Sequence, residues 1–186
     1  MDQKYVVLDT HDEPCGSVDM AICADYTALD KVMRFSSLEN DARYHQFSDP
    51  VSFGFKYFEK QLPRRDIYPV AVLLEMEIDY EKRRRGHGAM ALRGFRAVAA
   101  DHNARLGLLR IGTFGGEEYE TGMCWRKDFY SKYGWVAFNT PPVPGLILVW
   151  MYHPFPSLSD EERLMRGRLS KATPDKNELA LVEGQG

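Results

Sequence analysis

The sequence has 186 residues, of which 44% are hydrophobic and 27% charged, and this length suits one compact domain with its own hydrophobic core. Its three cysteines (Cys15, Cys23 and Cys124) form no CxxC pair, and none of its five histidines belongs to an HExxH motif. A disulfide framework and a metal site are therefore both disfavoured. Neither a membrane-spanning stretch nor a secretory signal is visible, so we expect a cytoplasmic protein.

The charge of the chain is unevenly distributed. The formal net charge is −3, yet residues 82–100 hold six basic side chains and no acidic one, which leaves 18 basic against 27 acidic side chains elsewhere, a net of −9. Binding to nucleic acid needs a broad cationic face, so nucleic acid is disfavoured as a partner. One basic segment in an acidic protein suits either a solvated surface or a site for a small polyanion.

The N-terminal third predicts few elements. Residues Lys4–Leu8 form a short apolar run typical of a strand, and apolar positions over residues 26–44 recur at roughly helical spacing. The aromatic segment 50–62 fits neither pattern. Its rings at positions 53–58 belong either to the core or to an interface between two copies, so a homodimer is one of the open alternatives.

The segment 70–114 predicts a strand–helix–strand unit. The run Val70–Ile78 begins with five apolar residues, as expected of a strand that is buried on both faces. A helix is predicted over residues 88–105 with Gly107 as its stop, and a second strand over Leu108–Phe114. Such a unit implies parallel strands joined by a right-handed crossover.

The C-terminal third predicts one more helix and one more strand. A loop is predicted at residues 115–120, a helix at 123–133 that stops at Gly134, and a buried strand over Leu146–Tyr152. Beyond these, Ser159-x-x-Glu162 has the pattern of a capping box before a charged helix.

The segment that carries chemistry lies between the first strand of the unit and its helix, and reads Arg83-Arg84-Arg85-Gly86-His87-Gly88-Ala89. The two glycines remove side chains where a backbone must approach a ligand closely, and the free amides of a helix's first turn attract negative charge. The arginines add charge-assisted contacts, so a pyrophosphate is the favoured ligand. We expect His87 to act through its backbone N–H, with its ring toward solvent.

Two other phosphate-binding motifs are disfavoured. A Walker A loop ends in Gly-Lys-Ser/Thr, which Gly88-Ala89-Met90 does not supply. The dinucleotide fingerprint follows its strand tightly and needs an acidic residue about twenty positions on, whereas here five residues intervene and the later region, residues 105–110, is basic.

The same residues resemble a known family. Arg83-x-x-Gly86-x-Gly88-Ala89 resembles the R/Q-x-x-G-x-G/A motif of the GCN5-related N-acetyltransferases (the GNAT family), and Asp128–Trp135 is similar to the family's F/L-Y-x-K-x-G-F element. Both motifs occur in the family's order within residues 68–153. The resemblance implies an α/β (α+β) fold with a mixed, splayed central sheet flanked by helices. We expect one such domain at 1–156, followed by a C-terminal helix and frayed tail at 157–186.

The resemblance also implies a function, the transfer of an acetyl group from acetyl-coenzyme A to a primary amine within a ternary complex. The acceptor would be a small molecule or a protein amine, with no membrane partner. Backbone groups of Met76 and Ile78 would bind the pantetheine, and the loop from Arg83 to Ala89 would bind the pyrophosphate. The adjoining strands would splay to admit the coenzyme.

The resemblance assigns one catalytic side chain. The general base is suggested by the residues themselves, because the family's bases often fall near positions that are Val72 and Leu74 in this chain. Tyr130 matches the family's tyrosine that protonates the departing thiolate, although packing between helix and sheet is the alternative for this ring. Glu75 is the favoured general base, with Glu77 or water as alternatives, since both carboxylates sit late in a strand that is otherwise apolar. The chain has Met123 where the family often has a cofactor-contacting asparagine. This departure keeps open a second hypothesis, a binding or regulatory protein that has the fold without catalysis.

Overall fold

The computed structural model describes residues 2–35, 67–113, 117–138, 147–155 and 169–171. Within these residues one sheet contains the strands β1 (Asp2–Leu8), β2 (Pro14–Cys23), β3 (Val70–Ile78), β4 (Leu106–Thr113), β5 (Val136–Ala137), β6 (Ile147–Pro154) and β7 (Leu169–Lys171). The helices are α1 (Tyr26–Phe35), α2 (His87–Asp101) and α3 (Glu117–Lys132), with a 3₁₀ turn at Tyr80–Lys82.

The strand order across the sheet is β5-β6-β4-β3-β2-β1-β7. Strands β3 and β4 run parallel, and every other neighbouring pair runs antiparallel. Helix α2 connects the two parallel strands, which is the crossover that parallel neighbours require. The predicted strand–helix–strand unit is confirmed.

Helix α2 covers one face of the sheet with a continuous apolar stripe. Its buried residues recur at helical spacing and include Ala91, Leu92, Phe95, Val98 and Ala99. They join Trp135 and Met151 in the first core cluster. Burial of a side chain as large as Phe95, whose exposed fraction is 0%, contributes about 1.5–3 kcal/mol.

The opposite face of the sheet carries the second core cluster. Leu29 of α1 packs there with Val72 of β3, Trp150 of β6 and Phe138. The sheet is therefore buried on both faces near its centre, and this is why the first part of β3 is apolar without alternation.

Several predicted elements differ from the structure. Gly107 lies inside β4 and does not stop the helix, because α2 ends at Asp101 and Asn103, at φ 58°, turns the chain back toward β4. The loop predicted at 115–120 is wrong over residues 117–120, which belong to α3, and residues 115–116 lie outside the described residues. Strand β2 was not predicted.

Other predictions are confirmed or fall outside the described residues. The bounds of β3 agree with the prediction, and Gly134, at φ 83°, follows the end of α3 as expected. The helix predicted from residue 26 is described as far as residue 35. The aromatic segment 50–62 and the capping box at 159–162 lie outside the described residues.

Candidate functional site

Strands β3 and β4 diverge halfway along their length. They pair from Val70–Leu106 to Leu73–Leu109, and in the described part of the chain the pairing stops there. Strand β3 continues to pair with β2 as far as Ile78, while β4 continues to pair with β6 as far as Thr113. Each strand follows its outer neighbour, so a gap opens between them. This is the splay that the sequence resemblance implied.

A one-residue bulge in β3 lies where the gap begins. The register with β2 shifts between Asp19–Glu75 and Met20–Leu73, which leaves Leu74 as the extra residue. Leu74 packs against the second core cluster, whereas Met76 and Ile78 pack against the first. By strand alternation Glu75 and Glu77 point to the face opposite Met76 and Ile78, and both carboxylates are exposed.

The amino end of α2 lies beyond the end of β3 and is open. Its N-cap residue Gly86 has φ 87°, no side chain caps the first turn, and nothing lies within 4 Å of where a Cβ on Gly86 would be. Arg84 also has a positive φ, 62°. Left-handed residues in such a loop turn successive amides into a concave anion-binding surface, and the helix dipole adds to it.

Ion pairs and a hydrogen bond that the sequence analysis missed stabilise the loop before α2. Lys82 Nζ donates to Asp9 Oδ2 at 3.1 Å and to Glu13 Oε2 at 3.3 Å, both in the connection between β1 and β2. The ring of His87 is hydrogen-bonded through Nδ1 to the carbonyl oxygen of Lys82 at 2.8 Å. The expectation that this ring points to solvent is therefore wrong, because the half-buried ring is hydrogen-bonded to the backbone of the loop that precedes it.

Asp9 is the buried centre of that network. Its carboxylate accepts hydrogen bonds from the backbone N–H of His11 at 2.8 Å and of Glu13 at 3.2 Å, as well as from Lys82. The backbone bond from His11, the Lys82 ammonium and the backbone bond from Glu13 lower the pKa of Asp9 to about 2. Hydrogen bonds to the carboxylates of Asp9 and Glu13 raise the pKa of Lys82. Both groups are charged across the neutral range.

The basic run divides into two kinds of side chain. Lys82 is bound to the β1–β2 connection, and Arg83 donates through Nε to the carbonyl oxygen of Ile78 at 2.8 Å while its guanidinium lies over Tyr80. Arg84 and Arg85 are exposed beside the open helix end. Because the carbonyl of Ile78 already accepts the Arg83 bond, it has less capacity left for a ligand than the sequence analysis assumed.

Gly88 is required by packing between helices. Phe129 Cζ of α3 lies 3.1 Å from the position that a Cβ on Gly88 would take. The sequence analysis attributed both glycines to close approach of a ligand, and the structure provides open space only at Gly86. Phe129 thereby fixes α3 against the first turn of α2.

Tyr130 lies on the α2 face of the sheet, half-buried against the first core cluster. Its ring makes edge contacts with Phe129, at a centroid distance of 5.2 Å, and with Trp135, at 6.1 Å. Burial raises the pKa of Tyr130 to about 12, only partly offset by the charge of Arg126, so the phenol keeps its proton at neutral pH.

The predicted site residues thus fall into two groups. The residues from Arg83 to Ala89 are continuous and surround the amino end of α2, next to Met76 and Ile78 at the end of β3. Tyr130 packs on the face of the sheet that carries the first core cluster, whereas Glu75 points to the opposite face. Among the described residues no group of three or more His, Cys, Asp or Glu side chains could hold a metal ion, and no helix is long and apolar enough to cross a membrane.

Comparison with solved structures identifies the class of fold. Over 81% of this chain and 72% of the other, at a TM-score of 0.54 and 12% sequence identity, the structure matches arylalkylamine N-acetyltransferase 2 from Aedes aegypti. The mixed, splayed sheet flanked by helices is the fold of the GNAT acetyltransferases, and the fold predicted from the sequence is confirmed.

Other acetyltransferase structures align less well. An acetyltransferase of the GNAT family from Staphylococcus aureus matches at a TM-score of 0.43 and 12% identity, over 82% of this chain and 67% of that one. Mutant forms of the spermidine/spermine N-acetyltransferase of Vibrio cholerae match at 0.45 and 12% identity, over 89% and 69%. No family model and no curated protein sequence matches this chain.

Proposed function

We propose that this protein is an acetyl-coenzyme A–dependent N-acetyltransferase that moves an acetyl group to a primary amine. The observation that carries the proposal is the gap between β3 and β4, which leads to an uncapped helix end with open space at Gly86. A long, thin ligand with a pyrophosphate fits this combination, because the gap supplies an unpaired strand edge and the helix end supplies free amides.

Two parts of the chain would bind different parts of the coenzyme. The amides of His87, Gly88 and Ala89 are the first-turn donors of α2 and bind the pyrophosphate, with Arg84 and Arg85 adding charge. The backbone of Met76, on β3 beyond its last pairing with β4, hydrogen-bonds the pantetheine. The coenzyme supplies the acetyl group as a thioester.

Two side chains would then manage the protons of the transfer. The amine nitrogen forms a bond to the acyl carbon as the carbon–sulfur bond breaks. Tyr130, protonated at neutral pH, gives its proton to the departing sulfur. Glu75 accepts the proton that the amine loses, directly or through water, from the opposite face of the sheet. Neutral amine and protonated phenol are therefore both required.

Calorimetric titration with acetyl-coenzyme A and, separately, with NAD tests the cofactor. We expect micromolar binding of acetyl-coenzyme A alone. Gly86→Asp would abolish it, because Asp tolerates a positive φ and meets no neighbouring atom, yet places a carboxylate where the phosphates bind. Gly86→Asn is the matched control, since it has nearly the same shape without the charge, and it should retain most of the affinity.

Failure of wild-type protein to bind acetyl-coenzyme A while folded would reject the proposal. If Gly86→Asp bound acetyl-coenzyme A as tightly as the wild type, the phosphates would not bind at the amino end of α2. The competing hypothesis, a binding or regulatory protein without catalysis, is favoured by the packing of Tyr130 between Phe129 and Trp135. It predicts coenzyme binding with no acetylation of any amine in a screen that includes arylalkylamines and polyamines.

A further inference from the structure

Trp125 of α3 is exposed without an evident structural reason. The exposed fraction of its side chain is 67%, whereas Trp135 and Trp150, the two other tryptophans of the chain, are 3% and 1% exposed. An indole is among the largest apolar surfaces that a residue can present to water. It therefore marks a surface where a flat or apolar ligand gains most from contact.

The indole is joined to the candidate phosphate site by one further ring. Trp125 stacks on Phe129, with ring centroids 6.2 Å apart and planes 17° from parallel. Phe129 in turn lies against Gly88, in the first turn of α2. We call Trp125 and Phe129 the aromatic ladder, and it extends from the amino end of α2 into solvent.

The direction of α3 decides which part of a bound coenzyme the ladder would meet. Three residues separate the carboxyl end of β4 from the start of α3, and Trp135, just after the end of α3, lies against Gly107 near the amino end of β4. The helix therefore runs from the open end of the gap toward the end where β3 and β4 are paired. Trp125 precedes Tyr130 by five residues, a distance of about 7.5 Å along the axis, toward the open end. With the thioester at Tyr130 and the phosphates at α2, the part beyond the phosphates is the adenosine.

We propose that Trp125 is the stacking platform for the adenine ring of acetyl-coenzyme A. This inference rests on the proposed function. An adenine offers a flat π-face to the exposed indole, and the ring already stacked beneath holds the indole flat. Exposed cations are available on both neighbouring elements, with Arg126 and Lys127 following Trp125 on α3 and with Arg84 and Arg85 preceding α2, and their charge would complement the coenzyme's 3′-phosphate.

Substitution of Trp125 tests the platform against the rest of the site. Stacking of a base on an aromatic side chain typically accounts for tenfold or more in affinity, so Trp125→Ala should weaken acetyl-coenzyme A binding by about tenfold. Trp125→Phe should lose less, because it retains a ring. Turnover with acetyl-pantetheine, which lacks the nucleotide, should not change. Tyr26→Ala removes an exposed aromatic from α1, on the other face, and should leave binding unaltered.

Tryptophan fluorescence gives a readout that does not depend on activity. Because the other two tryptophans are buried, Trp125 is the indole that a bound base can reach. Acetyl-coenzyme A should quench the wild-type emission, and Trp125→Phe should abolish the quench, while acetyl-pantetheine should cause none in either protein.

Distinct outcomes separate this inference from the proposed function. If wild-type protein binds acetyl-coenzyme A and Trp125→Ala binds it equally well, the platform is rejected and the proposed function stands. Equal losses with acetyl-coenzyme A and acetyl-pantetheine would also reject it, since Trp125 would then support the helix. A change in sedimentation with unchanged affinity would assign Trp125 to a protein interface instead. No binding by the wild type would reject both proposals.

Discussion

At the scale of single residues, Gly86 and Gly88 look equivalent in the sequence, but the structure gives a different reason for glycine at each position. Gly86 adopts a left-handed conformation and faces open space, so it is compatible with a ligand at the helix end. Gly88 faces the ring of Phe129, so its missing side chain allows α2 and α3 to touch. A substitution at Gly88 would disturb helix packing and binding together, which makes Gly86 the position for testing the coenzyme site.

Tyr130 carries the residue-scale prediction about catalysis. Tyr130→Phe removes the proposed proton donor and keeps the ring contacts with Phe129 and Trp135, so the fold should be unchanged. We expect kcat to fall by about 10²–10⁴ with little change in the KM for acetyl-coenzyme A, measured by release of free thiol. Because the pKa of Tyr130 is about 12, its ionisation should not limit activity of the free enzyme below that pH.

Unchanged kcat in Tyr130→Phe would make the hydroxyl dispensable and assign the ring to packing alone. Tyr133→Phe is the matched control, because Tyr133 also packs against Phe129 but is absent from the proposed proton path.

At the scale of elements, the loop before α2 is bound to the connection between β1 and β2 near the N-terminus. The ion pair between Lys82 and Asp9 joins residues 73 positions apart, and His87 secures the carbonyl of the same lysine. These contacts hold the loop in one conformation without a ligand, which would limit the conformational entropy lost on binding at the proposed phosphate site.

This fastening predicts an acid dependence of stability. The pKa of Asp9 is about 2 in the folded protein and 3.8 as the ordinary value, so the unfolded chain takes up the proton first as the pH falls. Its stabilising contribution is complete above about pH 4 and disappears as the pH falls toward 2. Asp9→Asn should therefore lower the melting temperature at pH 7, and the difference from wild type should shrink over that acid range.

Thermal melts at a series of pH values measure this effect. Asp128→Asn replaces an exposed aspartate of α3 and serves as the control for removal of a carboxylate. A melting difference for Asp9→Asn that persisted unchanged to pH 2 would show that the network stabilises the fold through shape rather than charge.

At the scale of the whole molecule, the two core clusters lie on opposite faces of one sheet. Trp135 belongs to the first cluster and Trp150 to the second. Strands β3, β4 and β6 contribute to both clusters, so neither can melt without the other. The chain should therefore unfold in a single cooperative transition.

Trp125→Phe gives the protein in which this can be measured. Its fluorescence then comes only from the two buried tryptophans, one in each cluster. Urea unfolding followed by this fluorescence and by far-ultraviolet circular dichroism should give coincident midpoints. Two separated transitions would mean that the faces of the sheet fold independently.

The sequence predicts elements that depend on neighbouring residues, and it does not predict elements that depend on residues far away in the chain. Strand β3 was predicted with its bounds because its apolar run is local and buried on both faces. Strand β2 was missed because Gly16, Ser17 and Asp19 interrupt its apolar residues, and only pairing with β1 and β3 makes it a strand.

The same distinction between local and long-range interactions holds for the candidate site. The loop from Arg83 to Ala89 is contiguous and was predicted, whereas Asp9, Lys82 and Phe129 act through contacts across long sequence separations. No periodicity or spacing marks such contacts. The prediction placed the stop of α2 at Gly107, because glycine is the usual residue after a helix end. In the structure α2 ends at Asp101, and Asn103 takes the left-handed conformation instead.

The bulge at Leu74 has a consequence for how this chain tolerates change in length. The residues before it present their apolar side chains to both faces, and the bulge absorbs Leu74 as an extra residue, so that Met76 and Ile78 stay on the face of the first core cluster. Deleting Leu74 would join Leu73 directly to Glu75, which restores a regular register with β2 and leaves Met76 and Ile78 on the same face, whereas deleting Met76 would turn Glu77 toward the first core cluster. Position 74 is therefore a place where β3 could lose one residue and still present the same side chains beside the gap.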